Sequence, residues 1–140
     1  MKQKGVQMEN KQSSLSTIPK LLVVDDTEVN IRLFKFRLKD YDLDITTCNS
    51  GEEALRLTAT THYHIIFLDH MMPEMDGIDT LYAIRNQQNG LNIHTPVIAM
   101  TAAFGEDALK EYLSIGFDNA VFKPYTFENL TNILKNYDLI

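Results

Sequence analysis

Short apolar runs rich in β-branched residues alternate along this chain with longer segments in which apolar residues return every three or four positions. A brief continuous apolar run bounded by turn residues marks a strand, and recurrence near 3.6 marks a helix with one buried stripe. The pattern predicts strands over Lys20 to Val24, Leu43 to Thr47, His64 to Leu68, Pro96 to Met100 and Asn119 to Phe122. It predicts helices near Glu28 to Lys39, Gly51 to Ala59, Ile78 to Gln87, Glu106 to Ile115 and Phe127 to Lys135. Such alternation is the mark of βα units wound around a parallel sheet. LLVV in the first strand and HIIFL in the third are apolar without a break, which suits strands covered on both faces, so both are expected to be central. Leu81 with Ile84, Leu109 with Leu113, and Leu130 with Ile133 and Leu134 supply helix stripes able to cover such a sheet.

With 140 residues, 44% of them hydrophobic, the chain has the size and core of one domain, expected over residues 20–138. No repeat and no second domain is visible, and with the last helix ending close to the terminus no output module is expected to follow. The first twenty residues carry lysines but no apolar h-region, so residues 1–19 read as a flexible leader rather than a signal peptide or anchor. No apolar run approaches the ~20 residues of a membrane span. A net charge of -6 argues against nucleic acid or an anionic membrane as the main partner. Cys48 stands alone and no His/Cys cluster has zinc-site spacing, which fits a reduced, cytoplasmic protein with Cys48 as a small half-buried residue.

The polar residues that end the strands carry the chemistry. In open α/β sheets the ligand crevice lies at the carboxyl ends of the strands. There the sequence sets Asp25 and Asp26 after LLVV, Asp69 after HIIFL, Thr101 after PVIAM and Lys123 after NAVF. Three converging carboxylates raise one another's pKa unless a cation sits among them, and a hard divalent ion with oxygen ligands answers that need. Mg2+ fits best, because it takes one or two carboxylates, keeps water, and completes its shell with phosphate oxygens. A lysine and a threonine hydroxyl add donors suited to an anion, so the rim is built for a phosphoryl group. Asp25 and Asp26 as mere helix caps, Asp69 as a turn residue, Thr101 as a cap for the helix near Gly105, and Lys123 as a solvated loop lysine are the competing structural readings.

In VVDD (Val23 to Asp26), LDHMMPEMDG (Leu68 to Gly77), MTA (Met100 to Ala102) and KP (Lys123, Pro124), Leu21 to about Asn136 resembles the receiver domain of two-component response regulators, stand-alone or from a hybrid sensor histidine kinase. The resemblance implies a flavodoxin-like doubly wound five-stranded parallel sheet of order 2-1-3-4-5. It implies that Asp69 is phosphorylated by a histidine kinase or histidine phosphotransfer protein. Asp26, Asp69 and the Met71 carbonyl would bind Mg2+ directly, with Asp25 reaching it through water. Thr101, with Ala102 beside it, would meet the phosphoryl oxygens, Lys123 would pair with the carboxylate and then the phosphoryl group, and Lys123-Pro124 would be cis. Such a domain is a signalling phosphoacceptor rather than a turnover enzyme. Apolar Met71 and Ala103 beside the path of the hydrolytic water suggest slow to moderate loss of the acyl phosphate.

Receivers usually carry Tyr or Phe three residues before the lysine, where this chain has Ala120. Phe122 is expected on the same strand face as Ala120 and is a candidate replacement, or else packs under the last helix. Ile31, set among polar residues near the acidic rim, is expected to serve in kinase docking. His62, His64, His70 and His94 read as structural or surface residues, with only His70 near enough to Asp69 to influence access. A homodimer through the last helices is allowed. Against a haloacid-dehalogenase-type phosphohydrolase, the two aspartates are adjacent rather than one residue apart, and against a flavin module, no Ser/Thr/Gly-rich loop follows the first strand. The remaining alternative is a receiver-like interaction module that is never phosphorylated.

Overall fold

A computed structural model describes residues 18–140, so the leader expected over residues 1–19 lies outside the described residues except for Ile18 and Pro19. Five strands, β1 (Lys20–Val24), β2 (Asp44–Cys48), β3 (Ile65–Asp69), β4 (Val97–Thr101) and β5 (Asn119–Phe122), form one parallel sheet in the order β2-β1-β3-β4-β5. The connecting helices are α1 (Glu28–Arg37), α2 (Gly51–Thr60), α3 (Gly77–Arg85), α4 (Glu106–Ile115) and α5 (Phe127–Asn136). β1 and β3 are interior strands, as their unbroken apolar runs require.

Alternation along the strands divides the core between the two faces of the sheet. Leu22, Val24, Ile66, Leu68, Val97 and Ala99 pack on one face with Ala54 of α2, Leu81 and Ile84 of α3, and Tyr112 of α4. Leu21, Val23, Ile65, Phe67, Ile98 and Met100 pack on the other with Phe34 of α1 and Leu130, Ile133 and Leu134 of α5. Phe34 meets Phe67 edge-to-face at 4.8 Å and Tyr125 at 5.9 Å between ring centroids. Burying one such ring contributes about 1.5–3 kcal/mol.

β3 and β4 each end one residue beyond their apolar runs, and β2 ends one residue later than expected, at Cys48. Backbone pairing continues into the polar residue, as Asp69 opposes Met100 and Thr101 opposes Phe122 in the ladder. The strands therefore hold these side chains rigidly rather than leaving them on loops. α1 stops at Arg37, two residues earlier than expected. α3 starts at Gly77 behind a reciprocal capping box of Asp76 and Asp79.

Three packing expectations are corrected. α4 does not bury a Leu109–Leu113 stripe: Leu113 is 44% exposed, and the helix turns Tyr112 inward instead. Tyr112 gains apolar cover together with partners for its hydroxyl, which Leu113 has no means to use. Ile31 is 6% exposed, so it offers no docking surface, and the apolar side chain that this part of α1 does present is Val29. Ile31 lies three residues before Phe34, so the two share the inward face of the helix. Cys48 is buried rather than half-buried, and burial pushes its thiol up to about 11, keeping it protonated at neutral pH.

Candidate functional site

The carboxyl ends of β1, β3, β4 and β5 meet at one rim. Asp25 follows β1, with one carboxylate oxygen accepting from the Thr27 N–H at 2.9 Å. That bond closes a local turn and caps nothing, because the residue at the α1 N-cap position is Thr27 and it makes no side-chain cap bond. Asp26 stays exposed, Asp69 is buried at the end of β3, and ligand oxygens from all three lie within 4.8 Å of one another. Lys123 Nζ stands 2.9 Å from Asp69 Oδ1 and 3.4 Å from Asp25 Oδ2.

The charges leave this set incomplete. Asp25 is fully buried, and its Oδ2 has no hydrogen-bond partner. Burial, opposed by the Lys123 hydrogen bond and reinforced by the fields of Asp25 and Asp26, lifts the Asp69 carboxyl to about 6. Burial pulls the Lys123 ammonium down, but the hydrogen bond from it to Asp69 and the charges of Asp25 and Asp69 outweigh this and hold its pKa above the ordinary lysine value. One ammonium thus faces three carboxylates, and Asp25 Oδ2 is left buried with only the 3.4 Å contact to Lys123 and no hydrogen bond. The donor set consists of hard oxygens, which suits Mg2+ and not a thiophilic metal.

Thr101 ends β4 with 5% of its surface exposed. It does not cap α4, whose N-cap position is Gly105. Its Oγ1 accepts from the Ala103 N–H at 3.1 Å and from the Tyr112 hydroxyl at 2.9 Å. Ala102 and Ala103 beside it are exposed, as is Met71, at 72%. Phe122, half-buried, opposes Thr101 in the β4–β5 ladder and belongs to neither apolar cluster, whereas Ala120 packs against the cluster that contains Tyr112. The Lys123-Pro124 peptide is cis.

Two supporting features were harder to see in the sequence. A Cβ placed on Gly77 would lie 2.3 Å from the Asp69 carbonyl oxygen and 2.8 Å from His70 Cα, so only glycine lets the α3 N-terminus close against the end of β3. The Gly77 N–H donates to the His70 carbonyl at 2.8 Å in that contact. The other feature is His70, whose Nδ1 lies 2.7 Å from the Tyr112 hydroxyl. Tyr112 carried no sequence signal beyond its place four residues after Ala108 and three before Ile115, a helix stripe offset from the leucines.

Known proteins share this fold. Residues 21–135 match the family described as the response regulator receiver domain. Histidine kinase 3 of Arabidopsis thaliana is 34% identical over 130 residues, covering 79% of this chain and 12% of the kinase. The chain spans less than a fifth of the length of curated relatives that it matches. Chemotaxis response regulator CheY4 of Vibrio cholerae superposes with a TM-score of 0.78 at 26% identity, covering 86% of this chain and 99% of that one. The receiver domain of a Pseudomonas aeruginosa sensor histidine kinase, solved with a magnesium ion coordinated in its active-site cleft, gives 0.75 at 27% identity over 86% of this chain and 98% of that one. A five-stranded 2-1-3-4-5 sheet whose first, third, fourth and fifth strands deliver two aspartates, a third, a threonine and a lysine to one rim, in a sequence matched by the family from residue 21 to 135, makes this chain a member of the response regulator receiver domains of two-component signalling.

Proposed function

We propose that the chain is a phosphoacceptor: Asp69 takes a phosphoryl group from a phosphohistidine on a histidine kinase or histidine phosphotransfer protein. The observation that carries this reading is the 2.9 Å contact of Lys123 with Asp69 inside a carboxylate cluster compact enough to share one cation. An Asp69 carboxylate oxygen attacks phosphorus, the P–O bond forms, and the P–N bond breaks with its electron pair returning to the imidazole. Asp25, Asp26, Asp69 and the Met71 carbonyl are the groups that would hold Mg2+, which when bound neutralises charge on the phosphoryl oxygens.

The chain's own residues then divide the work. Lys123 holds the free carboxylate before transfer and donates to a phosphoryl oxygen afterwards. Thr101, with Ala102 in the same turn, supplies a hydroxyl donor. Hydrolysis resets the site, and the apolar, exposed Met71 and Ala103 offer the attacking water no hydrogen bond, which favours a slow to moderate loss. The group is relayed onward or read out as a conformational change, so the domain is a signalling element that catalyses its own modification rather than a turnover enzyme. A cytoplasmic setting fits the lone protonated thiol of Cys48, and no helix among the described residues is long and apolar enough to cross a membrane.

Phosphoramidate, which presents the same P–N bond as phosphohistidine, tests the reaction without a partner. With Mg2+ present, the wild-type chain is expected to gain one phosphoryl group by intact mass and Asp69→Ala none. A folded wild-type chain that gains nothing would favour an interaction module that is never phosphorylated.

A further inference from the structure

Thr101, the hydroxyl that would donate to the phosphoryl oxygens, is itself held by a chain of side chains that the receiver motifs do not contain. Tyr112, 6% exposed on α4, donates its hydroxyl to Thr101 Oγ1 at 2.9 Å, and the Ala103 N–H donates to the same oxygen at 3.1 Å. A hydroxyl oxygen has two acceptor lone pairs and one proton. With both lone pairs engaged, the Thr101 proton is left to donate. Tyr112 likewise has one proton. Given to Thr101, it obliges His70 Nδ1, 2.7 Å from the tyrosine oxygen, to be the protonated nitrogen of its ring. The His70 and Tyr112 rings meet edge-to-face at 5.5 Å between centroids, and Phe117 backs Tyr112 at 5.6 Å, so the tyrosine is fixed on both sides.

We propose that Tyr112 is a positioning residue for phosphoryl transfer: a one-way donor relay, from His70 Nδ1–H to the Tyr112 hydroxyl to the Thr101 hydroxyl, orients Thr101 toward the phosphoryl oxygens of Asp69. This deepens the phosphoacceptor reading and rests on it. Donors aligned in one direction polarise each other, so the last hydroxyl binds an oxyanion better than an isolated threonine would. The relay also ties the site to α4, because the residue that grips Thr101 is a core residue of that helix. Ala120, in the same apolar cluster as Tyr112, brings no ring from β5 into this space.

The test is the initial rate of Mg2+-dependent labelling by phosphoramidate, followed by intact mass, in wild type, Tyr112→Phe, Thr101→Ala and the double variant. Loss of one donor to a reacting anion predicts a rate lower by roughly fivefold in Tyr112→Phe. In the Thr101→Ala background the same substitution is expected to change nothing, because there is no hydroxyl left to orient. His70→Ala is expected to slow labelling, and His70→Asn, which returns an N–H near the place of Nδ1, to recover most of it. Labelling of Tyr112→Phe at the wild-type rate, or an equal slowing with and without Thr101, would overturn the relay while leaving the phosphoacceptor reading intact. Should Tyr112→Phe not fold, the His70 pair decides alone: equal rates in His70→Ala and wild type overturn the proposal. Wild type that takes up no label overturns the phosphoacceptor reading and the relay together.

Discussion

Lys123 shares one ammonium between two buried carboxylates, 2.9 Å from Asp69 Oδ1 and 3.4 Å from Asp25 Oδ2. Removing one member of a buried ion pair leaves a charge that neither water nor protein solvates. Lys123→Ala is expected to lower the unfolding free energy by about 2–4 kcal/mol at neutral pH in EDTA, measured by urea denaturation, because both carboxylates lose their counter-charge.

Asp69 gives the site a pH dependence of definite sign. Its folded pKa of about 6 lies above the ordinary carboxylate value, so the folded state binds the proton more tightly than the unfolded chain. Stability from this group is full below the unfolded pKa and is lost as pH rises toward and through 6. In EDTA, Asp69→Asn removes the carboxylate that resists ionising and is expected to gain on the order of 1–2 kcal/mol over wild type at pH 7.5, with the difference vanishing near pH 4. Mg2+ should stabilise wild type at pH 7.5 and not Asp69→Asn, by about 2.7 kcal/mol at a hundredfold excess over Kd. Thermal melts across pH, with and without the ion, measure both effects.

Gly77 sets how close α3 comes to the phosphoacceptor. The obstacle to a Cβ is backbone on the strand side, which has no flexible end to move aside. Gly77→Ala is expected to destabilise the domain by about 1–3 kcal/mol and to slow Asp69 labelling, because the end of β3 must shift. Unchanged labelling in a folded variant would show that the close approach does not position Asp69.

Asn92 marks the opposite end of the sheet. Fully buried, it donates to the carbonyls of Thr58 (2.9 Å) and Thr61 (2.8 Å) and accepts from the Tyr63 N–H (2.9 Å) and the Thr95 hydroxyl (2.9 Å). Asn92→Ala strands four partners and is expected to cost about 2–4 kcal/mol in urea denaturation. Labelling of the folded fraction should stay at the wild-type rate, since the site lies beyond the other ends of the strands.

The site was legible because each of its charged groups ends an apolar run. Asp69 and Thr101 stand out as the first polar residues after HIIFL and PVIAM, and the parallel sheet brings such positions together. The β3 and β4 bounds erred by one residue for the same reason, since backbone pairing ignores the change of polarity that the pattern detects. What depends on helix rotation was not legible. α4 has two stripes, Leu109 with Leu113 and Ala108 with Tyr112 and Ile115, and only the tertiary partners of the tyrosine hydroxyl choose between them. Ile31 looked exposed among polar neighbours, yet it sits on the Phe34 side of α1. His70 and Tyr112 are 42 residues apart, and Asn92 sits in a polar loop that reads as solvated, so neither relationship leaves a local trace.

Reductive trapping tests the central claim most directly. The chain is treated with acetyl phosphate and Mg2+, the acyl phosphate is reduced with borohydride, and the peptides spanning Val23 to Asp26 and Leu68 to Gly77 are sequenced by mass spectrometry. The account predicts homoserine at position 69, absent when EDTA replaces Mg2+. Aspartate intact at 69 in a folded chain, or homoserine at Asp25 or Asp26 instead, would contradict it.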